Sequence, residues 1–207
     1  MPSPDREPVA RPDGSTQRQH ILRTALSLMA QQGVDGTSMR NLAAATDLNV
    51  ASLYHYFPSK RDLLVAVLEE HGFVDNPAAA SPPSLARDPA PGLADLLNEI
   101  LRSMLEVEDF IRLMLGEVMR GDDTASAVGA ELFAATQSSL ELWLAGHDPP
   151  LCRAGEQAVM ARMLRSLLVG LFIEHVAGVL DGGEDPAAIF RARTGELAAL
   201  LHGLAPD

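Results

Sequence analysis

The sequence predicts an all-α protein, with an N-terminal three-helix helix-turn-helix head followed by a C-terminal helical body. Three observations carry that reading. Apolar residues recur at i, i+3 and i+4 through the long segments, with no strand alternation and no internal repeat. The stretch Ser38–Arg61, SMRNLAAATDLNVASLYHYFPSKR, outlines two short helices across a tight turn and a restart at Pro58 and Ser59. Residues 75–92, DNPAAASPPSLARDPAPG, hold five prolines and no helical period, which separates head from body.

The elements follow in order. Residues 1–14, rich in Pro, Gly and charge, read as a disordered arm. A first helix over about Thr16–Gln32 puts Ile21, Leu22, Ala25, Leu28 and Met29 on one face. Ser15 or Thr16 caps its start, and Gly33 ends it in a left-handed conformation. Ser38 caps the second helix, which ends near Thr46, and Asp47 occupies the turn. Asn49 caps the third, Val50 to about Phe57, and Pro58 stops it. Ser59 caps a fourth, Lys60 to about Gly72, with Asp62 completing a capping box. Leu42, Ala43, Leu48 and Leu53 suit the core of a compact head, which leaves Ser52, Tyr54, His55 and Tyr56 pointing outward.

The head therefore spans 15–72, a Pro-rich connection 73–92, and the body 93–207. In the body the pattern predicts helices over about Leu93–Val107, Phe110–Gly121, Thr124–Ala145, Ala154–Leu180 and Pro186–Leu204. The fourth of these is apolar on several sides, from Val159, Met160 and Met163 to Phe172, Val176 and Val179. A helix of that kind is buried on several sides, either against its own core and a second subunit or as the central helix of a monomer. The terminal helix, with Ile189, Phe190, Leu197, Leu200, Leu201 and Leu204, is suited to pack beside it, and the dimer is the favoured reading, with the last two helices as its expected face.

The 207 residues are 47% apolar and only 4% aromatic, enough for a core of Ala- and Leu-rich helices. No run of about 18 uninterrupted apolar residues occurs, which argues against a membrane span. The N-terminus lacks the apolar stretch of a secretory signal, and the single Cys152 excludes an internal disulfide. Both fit a reducing cytoplasm, with Cys152 as a buried small hydrophobe.

The net charge of -12 argues against nucleic acid until it is mapped. Residues 14–61 carry five basic side chains against two acidic ones, a local charge of +3; residues 73–207 carry nine Arg against twenty acids, or -11. Phosphate binding works locally through counterion release, so a basic head can bind DNA on an acidic protein. The acidic body suppresses non-specific adhesion.

Residues 15–72 closely resemble the DNA-binding head of tetracycline-repressor-type (TetR/AcrR family) transcriptional regulators. The resemblance rests on the TS pair at Thr37-Ser38, the following LA, LYHYF, and SK followed by an acidic residue and LL. Three positions depart from the family pattern. Asp47 replaces the usual turn Gly, Asn49 the usual Ser or Thr cap, and Val50 a polar or basic residue. The resemblance implies that Arg40, Val50, Ala51, Ser52 and His55 approach base edges, with Arg40 best placed for a guanine and Val50 for a thymine methyl. It implies phosphate contacts from Thr16, Ser38, Tyr54, Tyr56 and Lys60, the one lysine of the chain.

It further implies a homodimer on a palindromic operator, released by a small, apolar effector held in the body. Met104, Met114, Met119, Phe133, Trp143, Met160, Met163 and Phe172 are the adaptable apolar groups suited to line such a pocket, with Glu174 and His175 as polar anchors. No cofactor and no metal is expected, since the six His and one Cys lack ligand spacing. No catalytic residue is assigned, for the chain has no Gly-rich phosphate loop, nucleophile elbow or zinc-helix motif. Two other readings stand beside this one: a helical dimer whose head binds protein, and a helical enzyme with a vestigial head.

Overall fold

A computed structural model describes residues 14–71, 92–147, 150–153, 155–179 and 185–203. Every regular element among them is a helix. The expected N-terminal arm lies outside the described residues except for Gly14, which begins the first helix, and so does all but the last residue of the Pro-rich connection. The chain divides into two compact units inside a helix, between Val67 and Leu68.

The first unit begins with α1 (Gly14–Gly36). Ile21, Leu22, Ala25 and Met29 are buried as their spacing predicts, and Leu28 is half-buried. Gly33 interrupts the helix at φ 75°, ψ 163°, so its φ is positive but its ψ is extended rather than left-handed. Only glycine adopts that region without strain. The chain then makes one more turn, closed where the Thr37 amide donates to the Gly33 and Val34 carbonyls. The Thr37 hydroxyl also donates to Gly33 at 3.0 Å.

Two short helices follow, α2 (Met39–Ala45) and α3 (Val50–Tyr56), each with the cap its sequence predicts. Ser38 Oγ accepts from the Asn41 amide at 3.0 Å, and Asn49 Oδ1 from the Ser52 amide at 2.7 Å. Between them Asp47 stands at φ 54°, the left-handed conformation that an Asp side chain tolerates better than most. That conformation turns the Leu48 amide back onto the Ala43 carbonyl at 2.9 Å, ending α2. Leu42, Ala43, Leu53 and Phe57 are buried, whereas Leu48 is half-buried.

Helix α4 (Lys60–His71) starts at Ser59, whose Oγ accepts from the Asp62 amide at 3.0 Å. The Asp62 carboxylate accepts the Ser59 hydroxyl at 2.7 Å, so the capping box closes through side chains.

The second unit contains α5 (Leu93–Glu106), α6 (Glu108–Met119), α7 (Asp123–Gly146), α8 (Gln157–Val176) and α9 (Pro186–Gly203). On α5 the buried set Leu93, Leu96, Leu97, Ile100 and Leu101 follows i, i+3, i+4, i+7, i+8. It packs with Trp143 and Leu144 of α7, Leu164 and Leu168 of α8, and Phe190 of α9. Helix α5 lies against α9, and α7 lies against both α6 and α8.

Helix α8 is shorter than its apolar pattern. It starts after Gly155 at φ 90° and stops at Val176, not at Leu180. Gly178 at φ 70° lets the Gly178 amide reach His175 and the Val179 amide reach Glu174, satisfying the last carbonyls. Ala161, Leu164, Leu168 and Phe172 are buried, while Val159, Met163, Leu167 and Ile173 are exposed. Cys152 is buried, and burial followed by the nearby Glu156 carboxylate pushes its thiol pKa up.

Candidate functional site

In the first unit, the buried Leu53 and Phe57 decide which side of α3 remains accessible. Ala51, Tyr54 and His55 are exposed, Val50, Ser52 and Tyr56 half-buried. Spacing at i, i+1, i+4 and i+5 places Val50, Ala51, Tyr54 and His55 together on one face. Tyr54 is 46% exposed, so its ring is shared between the interior and the surface. The His55 and Tyr56 rings meet edge-on with centroids 6.0 Å apart.

Arg40, Ser38 and Thr16 are exposed. Arg40 stands in the first turn of α2, and the Ser38 cap leaves its hydroxyl hydrogen free of that bond. Lys60 has a second partner that its sequence position does not reveal: Nζ donates to the Val34 carbonyl at 2.8 Å. The bond ties the start of α4 to the last turn of α1 and uses one of the three ammonium hydrogens. The Arg18 guanidinium lies 5.5 Å from the Phe57 ring centroid, a cation–π contact between α1 and the end of α3.

In the second unit, α5, α6, α7 and α8 surround an apolar cavity of about 70 Å³. Met104, Met114, Phe133 and Phe172 contribute to its wall with Ile100, Ile111 and Leu168. The other residues grouped by type lie elsewhere. Trp143 and Met160 belong to the helix core, and Met119 and Met163 are 86% and 58% exposed. His175 sits between the Phe172 and Phe190 rings, its Nε2 3.3 Å from Glu108 Oε2. Glu174 is exposed. Residue type selects these positions, but helix phase decides which of them share a space.

Glu108 is also held by Arg112 Nε at 2.7 Å. Partial burial raises the carboxyl pKa, but hydrogen bonds from Arg112 and His175 and their charges outweigh it, leaving the pKa below the usual carboxylate value.

The cavity also has three polar wall residues that were missed from sequence: Ser103, Thr136 and Arg165. The signal for Arg165 was present, an arginine inside the apolar run MLRSLLVG of α8. The two hydroxyls donate to their own helices, to Ile100 at 2.7 Å and Leu132 at 2.9 Å. Arg165 Nη1 donates to the Phe133 carbonyl at 3.2 Å, and its guanidinium stands 5.4 Å from the Phe133 ring centroid.

Capped short helices across a left-handed turn, with the outer face of the second left accessible, define a helix-turn-helix unit. Residues 21–67 match the family described as bacterial regulatory proteins, tetR family. The match covers this unit and stops at Val67. The chain is 32% identical over 110 residues to the HTH-type transcriptional repressor KstR of Rhodococcus jostii, a match covering 53% of this chain and 51% of that protein. The match thus spans about half the length of that curated relative.

The fold extends further than the sequence likeness. A transcriptional regulator of Aquifex aeolicus superposes with a TM-score of 0.68 at 16% identity, covering 89% of this chain and 99% of that one. A regulator of Saccharomonospora viridis solved in complex with choline gives 0.68 at 19% identity, covering 88% and 95%. Among the described residues, no helix is long and apolar enough to cross a membrane.

Proposed function

We propose that the protein is a ligand-responsive, sequence-specific DNA-binding transcriptional regulator, a cytoplasmic homodimer that represses from a palindromic operator until a small molecule releases it. The observation that carries this reading is the accessible face of α3, held on a core of Leu53 and Phe57 after the capped α2 that exposes Arg40. Arg40, Val50, Ala51, Ser52 and His55 read base edges in the major groove; Thr16, Ser38, Tyr54, Tyr56 and Lys60 set register on the phosphates.

The last two helices form the dimer interface. Support comes from α8, whose Val159, Met163 and Leu167 recur at i, i+4 and i+8 and are exposed, with Leu200 of α9 62% exposed. A two-fold dimer would set two copies of α3 about 34–36 Å apart, one turn of DNA or a multiple of it. The effector enters the cavity between α5 and α8, a reading supported by its apolar wall and by the choline held in a protein of the same fold. At about 70 Å³ the cavity is smaller than a typical ligand site, so Met104 and Met114 must repack around the guest. The effector acts by its differential affinity for the DNA-bound and free arrangements.

Footprinting on DNA upstream of the protein's own gene, at several salt concentrations, tests this reading. A protected two-fold site whose affinity falls with salt is expected. Equal binding to every sequence at every salt would sink it.

A further inference from the structure

The cavity of the second unit has one formally charged residue in its wall, Arg165, and no acidic one. That isolation is informative because residues 73–207 hold twenty acids against nine arginines. Arg112, Arg120 and Arg193 each lie within 4.0 Å of a carboxylate. Arg165 has no carboxylate so placed among the described residues. Its recorded hydrogen bond is the one to the Phe133 carbonyl, which accounts for one of five guanidinium N–H groups. The side chain is half-buried, where leaving a cation without a counter-charge is costly.

The surroundings favour a ligand anion over a rotation toward solvent. The guanidinium lies 5.4 Å from the Phe133 ring centroid, a cation–π contact, and the Phe133 carbonyl accepts one of its N–H groups. A planar fork oriented in advance loses little entropy when it takes a two-oxygen acceptor. Ser103 and Thr136 offer no competing donors, since both hydroxyl hydrogens are committed to their own helices. The rest of the wall is aliphatic, Met or Phe.

We propose that the cavity takes an amphiphilic anion, its apolar body among Met104, Met114 and Phe172 and its carboxylate or equivalent oxyanion on Arg165. This deepens the effector reading above and rests on it. A cationic amphiphile is disfavoured by the same guanidinium, and a neutral one leaves it without a counter-charge.

The test uses the full chain and a matched pair of probes, octanoate and 1-octanol, titrated by calorimetry at neutral pH. Octanoate should bind about tenfold or more tightly than 1-octanol, as a charge-assisted hydrogen bond provides. Arg165→Gln should bring octanoate down to the affinity of 1-octanol while leaving 1-octanol unchanged. Arg165→Lys, which keeps the charge and loses the fork, should retain a smaller preference. It keeps the test decisive if the Gln variant fails to fold. Equal affinity of the two probes for the unaltered protein, or a preference that survives Arg165→Gln, would overturn the anion assignment and leave the cavity reading intact. Binding of neither probe would overturn both.

Discussion

Arg40 and Lys60 carry the same charge in different surroundings, so their replacement should have different consequences. Arg40 is exposed in the first turn of α2, and the proposed base contact rests on that exposure. Arg40→Ala should cost about 1–3 kcal/mol at one base pair of the operator and little on random DNA. Equal losses on both, in a competition binding assay, would remove it from the base readers. Lys60 is part-buried and bonded to the Val34 carbonyl. Lys60→Ala should weaken all sequences alike and lower the salt slope by about one, and should also loosen the junction of α1 with α4 by about 1 kcal/mol. Chemical denaturation beside the binding titration separates the two effects. At Glu108 the folded pKa lies below the ordinary 4.5, so folding favours the ionised carboxylate. Its contribution is complete above the unfolded-chain pKa and is lost as pH falls through the lower folded value. The urea midpoints of the unaltered protein and of Glu108→Gln should therefore differ at neutral pH and converge as pH falls through the folded carboxyl's lowered pKa.

At the scale of elements, the turn between α2 and α3 rests on one local backbone choice. Asp47 holds φ 54°, a conformation in which glycine carries no Cβ penalty. Asp47→Gly should raise stability by about 0.5–1 kcal/mol without moving α3, seen as a higher melting temperature with unchanged operator affinity. The stretch is legible because caps are local chemistry. Ser38, Asn49 and Ser59 each accept from the amide three residues on, as their sequence positions predict. Legibility fails where a partner is distant in sequence. No spacing rule links Lys60 to Val34, 26 residues away, or His175 to Glu108, 67 residues away. The end of α8 was misplaced for a related reason. Hydrophobicity runs on to Leu180, but Gly178 turns the backbone before the apolar pattern ends.

At the scale of the molecule, the exposed apolar stripe of α8 is the feature whose energetics one chain alone does not balance. Val159, Met163 and Leu167 are each between 44% and 58% exposed. A charge in that stripe should block association through it. Leu167→Glu is expected to yield monomers by sedimentation velocity, with folded helix content, and to lose high-affinity operator binding, because two heads on one DNA require the dimer. A dimer that persists in this variant would place the interface elsewhere. The charge division between residues 14–61 and 73–207 leaves the head as the part of the chain on which the proposed phosphate contacts depend.

The sequence by itself determined the all-helical class and the caps that start α2, α3 and α4 in the head. Each of these depends on periodicity, capping or turn chemistry within a few residues. Tertiary structure decided which apolar side chains share a cavity. Met104, Met114, Phe133 and Phe172 converge there, while Met119 and Met163 face outward and Trp143 and Met160 enter the helix core. All eight are chemically suitable, and only the phase of four helices packed against one another separates them. The same packing brought Arg165 to that wall and set it on Phe133, 32 residues away in the chain.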